Sequence, residues 1–307
     1  MNHIAPLAPA LPRLAQASPQ ARLLAWFLLV TGTVVPGLLG ADAFNAAVAE
    51  FNARRFAEAQ VAFAALPATD PRQAEIAYYL GALALRRGTP AEALPLLERA
   101  VALDPAYARA YQALGDAYGL SAQKAGLLSK LGLAKKCLAS YEKAVALAPN
   151  VISYRFSLLN YYSQAPALAG GGRDKAFAVA REIQKLDPIM GGLSIVNLHV
   201  IEKEWRQAFT LVEELRQAHP GNNELHYQFG RLASLSGQQV EPGIAALQRF
   251  LDAPPAPEET SRIQAQFRMG ILLEKRGDPA AAKQAYRQTL ELNPNHRPAQ
   301  EALDRLK

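Results

Sequence analysis

The chain has 307 residues, half of them hydrophobic, with 33 Lys and Arg against 27 Asp and Glu and a net charge of +6. This mild basicity lacks the dense Lys/Arg clustering of a nucleic-acid surface, so nucleic acid is not expected as a partner. Cys137 is the single cysteine, which rules out an intrachain disulfide and a thiolate metal cage.

The N-terminus reads as an export signal. Arg13 and Arg22 precede an apolar run from Leu23 to Val30 that continues through Val34-Val35 to Leu38-Leu39. Ala41 and Ala43 flank Asp42 beyond it. A basic start, an apolar middle and an A-x-A site define a cleavable secretory signal. The expected signal peptide is 1–43, with cleavage between Ala43 and Phe44. The alternative is a retained inner-membrane anchor facing the periplasm, but Pro36 interrupts the run and its length is marginal for a span.

From Phe44 onward, helical hairpins follow one another. The second is the clearest: Ala77, Leu80-Gly81 and Ala84 on one helix, Gly88 at the turn, then Ala93, Leu97 and Ala100 before Pro105. Gly81 and Ala93 are small where the two helices cross, and Pro105 stops the second helix while disfavouring helical geometry at Asp104. The first hairpin carries Ala47, Phe51, Phe56, Ala59 and Phe63, with Arg54 where a turn glycine is common. The third has Leu114-Gly115 and Tyr118, then Cys137, Tyr141, Ala144 and Pro149. Tyr118 to Cys137 spans 19 residues against 9 for Ala84 to Ala93, and Leu120, Leu127-Leu128 and Leu131 keep helical spacing in the excess. An extended hairpin with a projecting tip is expected there.

The fourth hairpin holds Leu158-Leu159, Tyr162, Ala176, Ala180 and Pro188, interrupted by a loop from Gln164 through Gly170-Gly171-Gly172-Arg173. The fifth contains Trp205, Ala208, Val212 and Pro220, the sixth Gly230, Ala233, Gly237 and Leu247. A linker at 256–259 leads to the seventh, with Gly270, Leu273, Gly277, Ala282, Tyr286 and Pro294. The expected repeats are 44–71, 74–105, 108–149, 152–188, 189–220, 223–255 and 263–294. Residues 295–307 form an amphipathic capping helix that closes the last apolar face.

The recurring Leu-Gly, Ala and Pro resemble the tetratricopeptide repeat superfamily, whose unit is a helix–turn–helix of about 34 residues. The resemblance implies an all-α fold, a right-handed superhelical solenoid of such repeats with a C-terminal capping helix. The middle resembles a subgroup of exported bacterial proteins with these repeats. Its carriers are the run Leu114 to Leu120, the run Gly132 to Lys136, Tyr161-Tyr162 with Ala165-Pro166, and the triple glycine. The superfamily implies protein or peptide binding in a concave groove lined by the first helices. Residues expected to face it are Tyr78, Phe156, Asn160, Leu193, Asn197, Tyr227, Arg231 and Phe267. The lysines of the superfamily's carboxylate clamp are missing beside the asparagines, so no clamp is expected. The groove should be aromatic and apolar in its middle.

A second candidate surface lies at the insertions of the third and fourth repeats. Lys124, Leu127, Leu128, Lys130 and Arg173 are expected to share one edge. Lys124, Lys130, Lys135 and Lys136 have no acidic residue among them. That tip suits a weak contact with an anionic membrane or an acidic partner, against the plainer alternative of a solvated face. The triple glycine lacks the preceding strand of a phosphate cradle and is read as a flexible turn. His199 and His226 are a metal or acid–base pair only if the fold joins them; packing roles are favoured. Cys137, in the slot of Ala93 and Ala282, should be buried and inert.

Neither a Walker motif, a HExxH helix nor a recognisable nucleophile–base set occurs, so no cofactor or metal is expected and an enzyme with no recognisable motif is only a remote alternative. The leading expectation is a protein- or peptide-binding scaffold or adaptor in the bacterial periplasm that assists envelope assembly. The alternative is a structural subunit docked through the third hairpin.

Overall fold

The computed structural model describes residues 36–254 and 261–306. They form fifteen α-helices and one 3-10 turn, and no strand occurs among the described residues. The first repeat is α1 (Pro36–Asn52) with α2 (Phe56–Ala64), the second α3 (Gln73–Arg86) with α4 (Pro90–Leu103). The third is α5 (Ala108–Lys124) with α6 (Leu127–Leu147), and the fourth α7 (Ile152–Gln164) with α8 (Arg173–Leu186). Then come α9 (Pro188–Ile201) with α10 (Trp205–Ala218), α11 (Glu224–Ser236) with α12 (Val240–Asp252), and α13 (Ser261–Arg276) with α14 (Pro279–Leu292). The cap is α15 (Arg297–Arg305).

Each helix packs mainly on its chain neighbours, and the first helices of successive repeats also touch, α3 on α5 and α11 on α13. This is an all-α solenoid, stabilised repeat by repeat rather than around one core.

Crossings within the repeats depend on a small residue facing a large one. A Cβ on Gly81 would lie 2.6 Å from Leu97 Cγ, one on Gly115 2.4 Å from the Tyr141 ring, and one on Gly270 2.4 Å from the Tyr286 ring. The fourth repeat reverses the sizes, with Leu159 on the first helix and Ala180 on the second, both buried. Several hairpin turns use a left-handed residue, though the third turns at Ala125 and Gly126 without one. Gly88 and Gly277 supply it at φ 74° and 85°, while Arg54 and Lys203 adopt it at φ 61° and 56°. Helix ends follow the prolines: Asp104, Ala148, Asp187 and Asn293 all leave helical geometry at φ between −132° and −146°, each before a proline.

Tyrosines rivet neighbouring repeats around the third one. Tyr118 on α5 donates to Glu98 on α4 at 2.6 Å, and Tyr162 on α7 donates to Glu142 on α6 at 2.8 Å. The two pairs have the same 20-residue separation, one repeat apart.

Three expectations need comment. The excess residues of the third repeat lengthen both α5 and α6, as the helical spacing implied. The triple glycine is not a loose loop. A 3-10 turn at Ala167–Ala169 packs on α6, and Gly170, Gly171 and Gly172 amides donate to Ala167, Pro166 and Tyr162 carbonyls at 2.8, 3.2 and 2.9 Å. Helix α1 starts at Pro36 and runs through the expected cleavage point, with Ala43 exposed and Phe44 buried against Phe63 and Tyr79. Residues 1–35 of the expected signal and the linker at 256–259 lie outside the described residues, and no described helix is long and apolar enough to cross a membrane.

Candidate functional site

A cleft of ≈ 450 Å³ opens between the third and fourth repeats. The first helix of the third repeat contributes Asp116, Gly119, Ala122 and Gln123, and α6 contributes Lys130, Ala134, Cys137 and Tyr141. The opposite wall is α7, with Ser157, Asn160, Tyr161 and Gln164, closed by Ala165 and Pro166. A second cleft of ≈ 430 Å³ continues toward the second repeat, reaching Leu85 and Arg86 of α3. The two share Asp116, Gly119, Gln123 and Tyr141. Together they form a trough across the first helices of three successive repeats.

The longer α5 and α6 create this trough, because their extra turns extend its wall beyond the normal hairpin height. Gly119 faces Cys137 there, and a Cβ at that position would make an ordinary contact with Cys137 Sγ at 3.5 Å. One end is tied by Gln112 Nε2 donating to Ser157 Oγ at 3.0 Å. The Tyr161 hydroxyl sits between the carbonyls of Ala134 and Ala169, at 2.8 and 2.7 Å, and so can donate to either. It joins α7, α6 and the 3-10 turn at one atom.

Asp116 lies where the clefts meet. Tyr141 donates its hydroxyl to Asp116 Oδ1 at 2.6 Å. Burial holds the Asp116 carboxyl above the usual carboxylate range, opposed by that hydrogen bond. Burial also raises the Tyr141 phenol, so Tyr141 is neutral and donates. Beside them Cys137 is 3 % exposed, and burial pushes its thiol up to about 12. A thiol at that pKa is not a nucleophile at neutral pH.

The expected groove residues separate. Asn160 lines the cleft. Tyr78 is buried against Tyr79 and Tyr107, with Arg109 over its ring at 4.9 Å, and Tyr227 is buried against Phe250. Phe156 and Leu193 are half-buried and Asn197 is exposed. Arg231 is half-buried and donates to Gln228 at 3.2 Å; burial and then Arg268 lower its pKa. Phe267 lines a separate hollow of ≈ 280 Å³ between α13 and the cap. The trough mixes polar groups with the apolar surfaces of Ala122, Ala134, Tyr141, Tyr161 and Pro166, while Tyr78 and Tyr227 pack between helices.

Of the expected edge, Lys130 joins Asn160 at the cleft. Lys124 donates to the Gly88 carbonyl at 3.2 Å, and Leu127 stands 86 % exposed. Arg173 pairs with Glu204 at 2.5 Å and lies over Phe177. The side chain of Leu128 is outside the described set. His199 binds Glu204 at 2.7 Å and His226 binds Arg216 at 3.0 Å, so each histidine has its own partner. No group of three metal-ligating side chains occurs among the described residues.

Asp116, Gln123 and Tyr141 were missed as site residues. Their signal was present: Asp116 follows the crossing glycine, and Tyr141 occupies the slot that Leu97 fills with carbon alone.

Comparison with known proteins agrees with this architecture. Tetratricopeptide repeat models match residues 120–151 and 263–296. A tetratricopeptide repeat protein from Parabacteroides merdae ATCC 43184 is similar at TM-score 0.60 and 14 % identity, over 88 % of this chain and 99 % of that one. The C-terminal part of a repeat protein from Cytophaga hutchinsonii gives TM-score 0.55 and 15 % identity, over 85 % and 99 %. PilW, described as a widely conserved type IV pilus biogenesis factor, gives 0.50 and 14 %, over 76 % and 97 %. No curated protein sequence matches. Two stretches of the chain thus match tetratricopeptide repeat models, and its fold is that seen in tetratricopeptide repeat proteins.

Proposed function

We propose that this protein is a non-enzymatic scaffold that binds a peptide or an extended protein segment in the trough across the second to fourth repeats. The observation that carries this reading is the continuity of the two clefts through Asp116, Gly119, Gln123 and Tyr141. A trough spanning three first helices suits an extended chain, and its walls offer neutral hydrogen-bonding groups at Gln123, Ser157, Asn160 and Gln164. The work is placed in the bacterial periplasm, in assembly at the envelope, on the basic, apolar and A-x-A sequence of residues 1–43. The fold likeness to a pilus biogenesis factor is in keeping with that setting.

A photo-crosslinking amino acid at Gln123 or Asn160, with Gln248 on α12 as control, tests the trough. Partner peptides should crosslink from the first two positions. Crosslinks from Gln248 alone would reject the reading. Mass measurement of the chain from its host tests export: the expected N-terminus is Phe44, and a chain beginning at Met1 would reject cleavage.

A second reading is favoured by the exposed Leu127 at the hairpin tip. Here the protein is a subunit docked through Lys124, Leu127, Leu128, Lys130 and Arg173, touching an acidic partner or an anionic membrane. In that case Leu127→Asp abolishes docking and substitutions in the trough do not.

A further inference from the structure

Asp116 is a half-buried carboxylate set into the trough with no ion pair of its own among the described residues. Its one hydrogen bond comes from the Tyr141 phenol, which is neutral and leaves the negative charge uncancelled. No ion pair involves it among the described residues, and no positive side chain counts among the causes of its pKa shift. A charge withdrawn from water without a counter-ion is unfavourable, and such groups in protein interiors are normally paired. Lys130 lines the same cleft and Arg86 the adjoining one, but no ion pair among the described residues joins either of them to Asp116. Ala122 and Ala134, which line the same cleft, provide an apolar passage for an alkyl stem.

We propose that Asp116 is the receptor for a lysine or arginine side chain of the bound peptide, with the stem running past Ala122 and Ala134. This rests on the trough being the binding site. A neutral or acidic side chain at that place would cover the half-buried Asp116 without pairing it, so the trough selects for one basic residue per bound segment. The trough's amides at Gln123, Asn160 and Gln164 remain for the segment's main chain and set no preference for charge.

The test uses the full-length protein and a random-peptide library, selected in parallel on the native chain, on Asp116→Asn and on Asn160→Trp. The asparagine keeps an acceptor for Tyr141, and residue 160 is exposed, so both variants are expected to fold; circular dichroism checks this. If the proposal holds, peptides from the native chain share a Lys or Arg at one position. Replacing it by norleucine weakens binding about 10- to 100-fold to the native chain, as loss of a charged hydrogen bond would. The same replacement changes nothing on Asp116→Asn. Peptides that bind without a basic position, unaffected by Asp116→Asn but lost on Asn160→Trp, would overturn the role of Asp116 and leave the trough standing. Peptides insensitive to Asn160→Trp, or no enrichment at all, would overturn both.

Discussion

At the residue scale, space and charge at the crossings decide what each position tolerates. Gly115→Ala drives a methyl into the Tyr141 ring and should destabilise by about 1–3 kcal/mol, read from the urea midpoint. Gly132 lies within α6 with nothing in range of an added Cβ, so Gly132→Ala should stabilise by about 0.5–1 kcal/mol. Leu-Gly spacing made the crossing glycines legible in the sequence. The charge at Asp116 was not, because its cost comes from burial by α5 and α6 together. Its pH dependence has a definite sign. A carboxyl whose folded pKa is raised contributes stability that is full below its unfolded pKa and lost as pH rises through the folded one. Asp116→Asn should therefore be more stable than the native chain at neutral pH, and the advantage should fade on acidification. Asp70 runs the other way. It accepts from the Arg72 main chain at 2.9 Å and its guanidinium at 2.7 Å, and the Arg72 side chain holds its pKa down. Its contribution is present above the ordinary carboxylate range and disappears as pH falls through the lowered value. Asp70→Asn should remove that part of the acid sensitivity, and an unchanged acid midpoint would count against it.

At the element scale, the extended hairpin and the glycine turn work as one unit. The helical spacing of Leu120, Leu127-Leu128 and Leu131 revealed the longer helices. The same sequence hid the order of the turn, because Gly170 to Gly172 read as freedom when each serves a defined contact. Gly170 takes a left-handed φ of 90°, and a Cβ on Gly171 would strike the Ala165 carbonyl at 1.9 Å. Ala169 is buried, and Tyr161 clamps the turn to α6. Deleting 167–172 would thus remove packing as well as any contact surface, which makes it a poor probe of binding. Tyr161→Phe is cleaner. It should cost about 0.5–1.5 kcal/mol, the usual worth of one hydrogen bond. Hydrogen exchange at the Gly170 to Gly172 amides should accelerate while α5 stays protected. Unchanged exchange there would show that packing alone holds the turn.

At the scale of the whole molecule, the buried residues fall into three clusters rather than one. The first extends from Phe44 through Tyr141 to Leu158, and the last from Val196 to Ala302. Between them lies a small cluster of Leu159, Ala176, Phe177, Ala180, Ile183 and Leu198. The fourth repeat has Ala180 in the slot that Tyr141 fills in the third repeat and Val212 in the fifth, with the larger Leu159 on the facing helix. In an array held by nearest-neighbour contacts, a thin repeat is where cooperativity breaks first. Ile183 is fully buried in that cluster, so Ile183→Ala should cost about 2–5 kcal/mol locally. The loss should split one urea transition into two, with peptides from α3 and α4 exchanging hydrogen at a different midpoint from those of α11 and α12. Leu97→Ala removes a side chain of similar size from the first cluster, and there the N-terminal repeats alone should shift. If both variants moved all peptides together, the three clusters would be one cooperative unit. The trough would then gain nothing from its place beside the fourth repeat. If the split occurs, the α7 wall of the trough belongs to the least stable part of the solenoid. Peptide bound there, holding α5, α6 and α7 together, should draw the two transitions of Ile183→Ala back toward one.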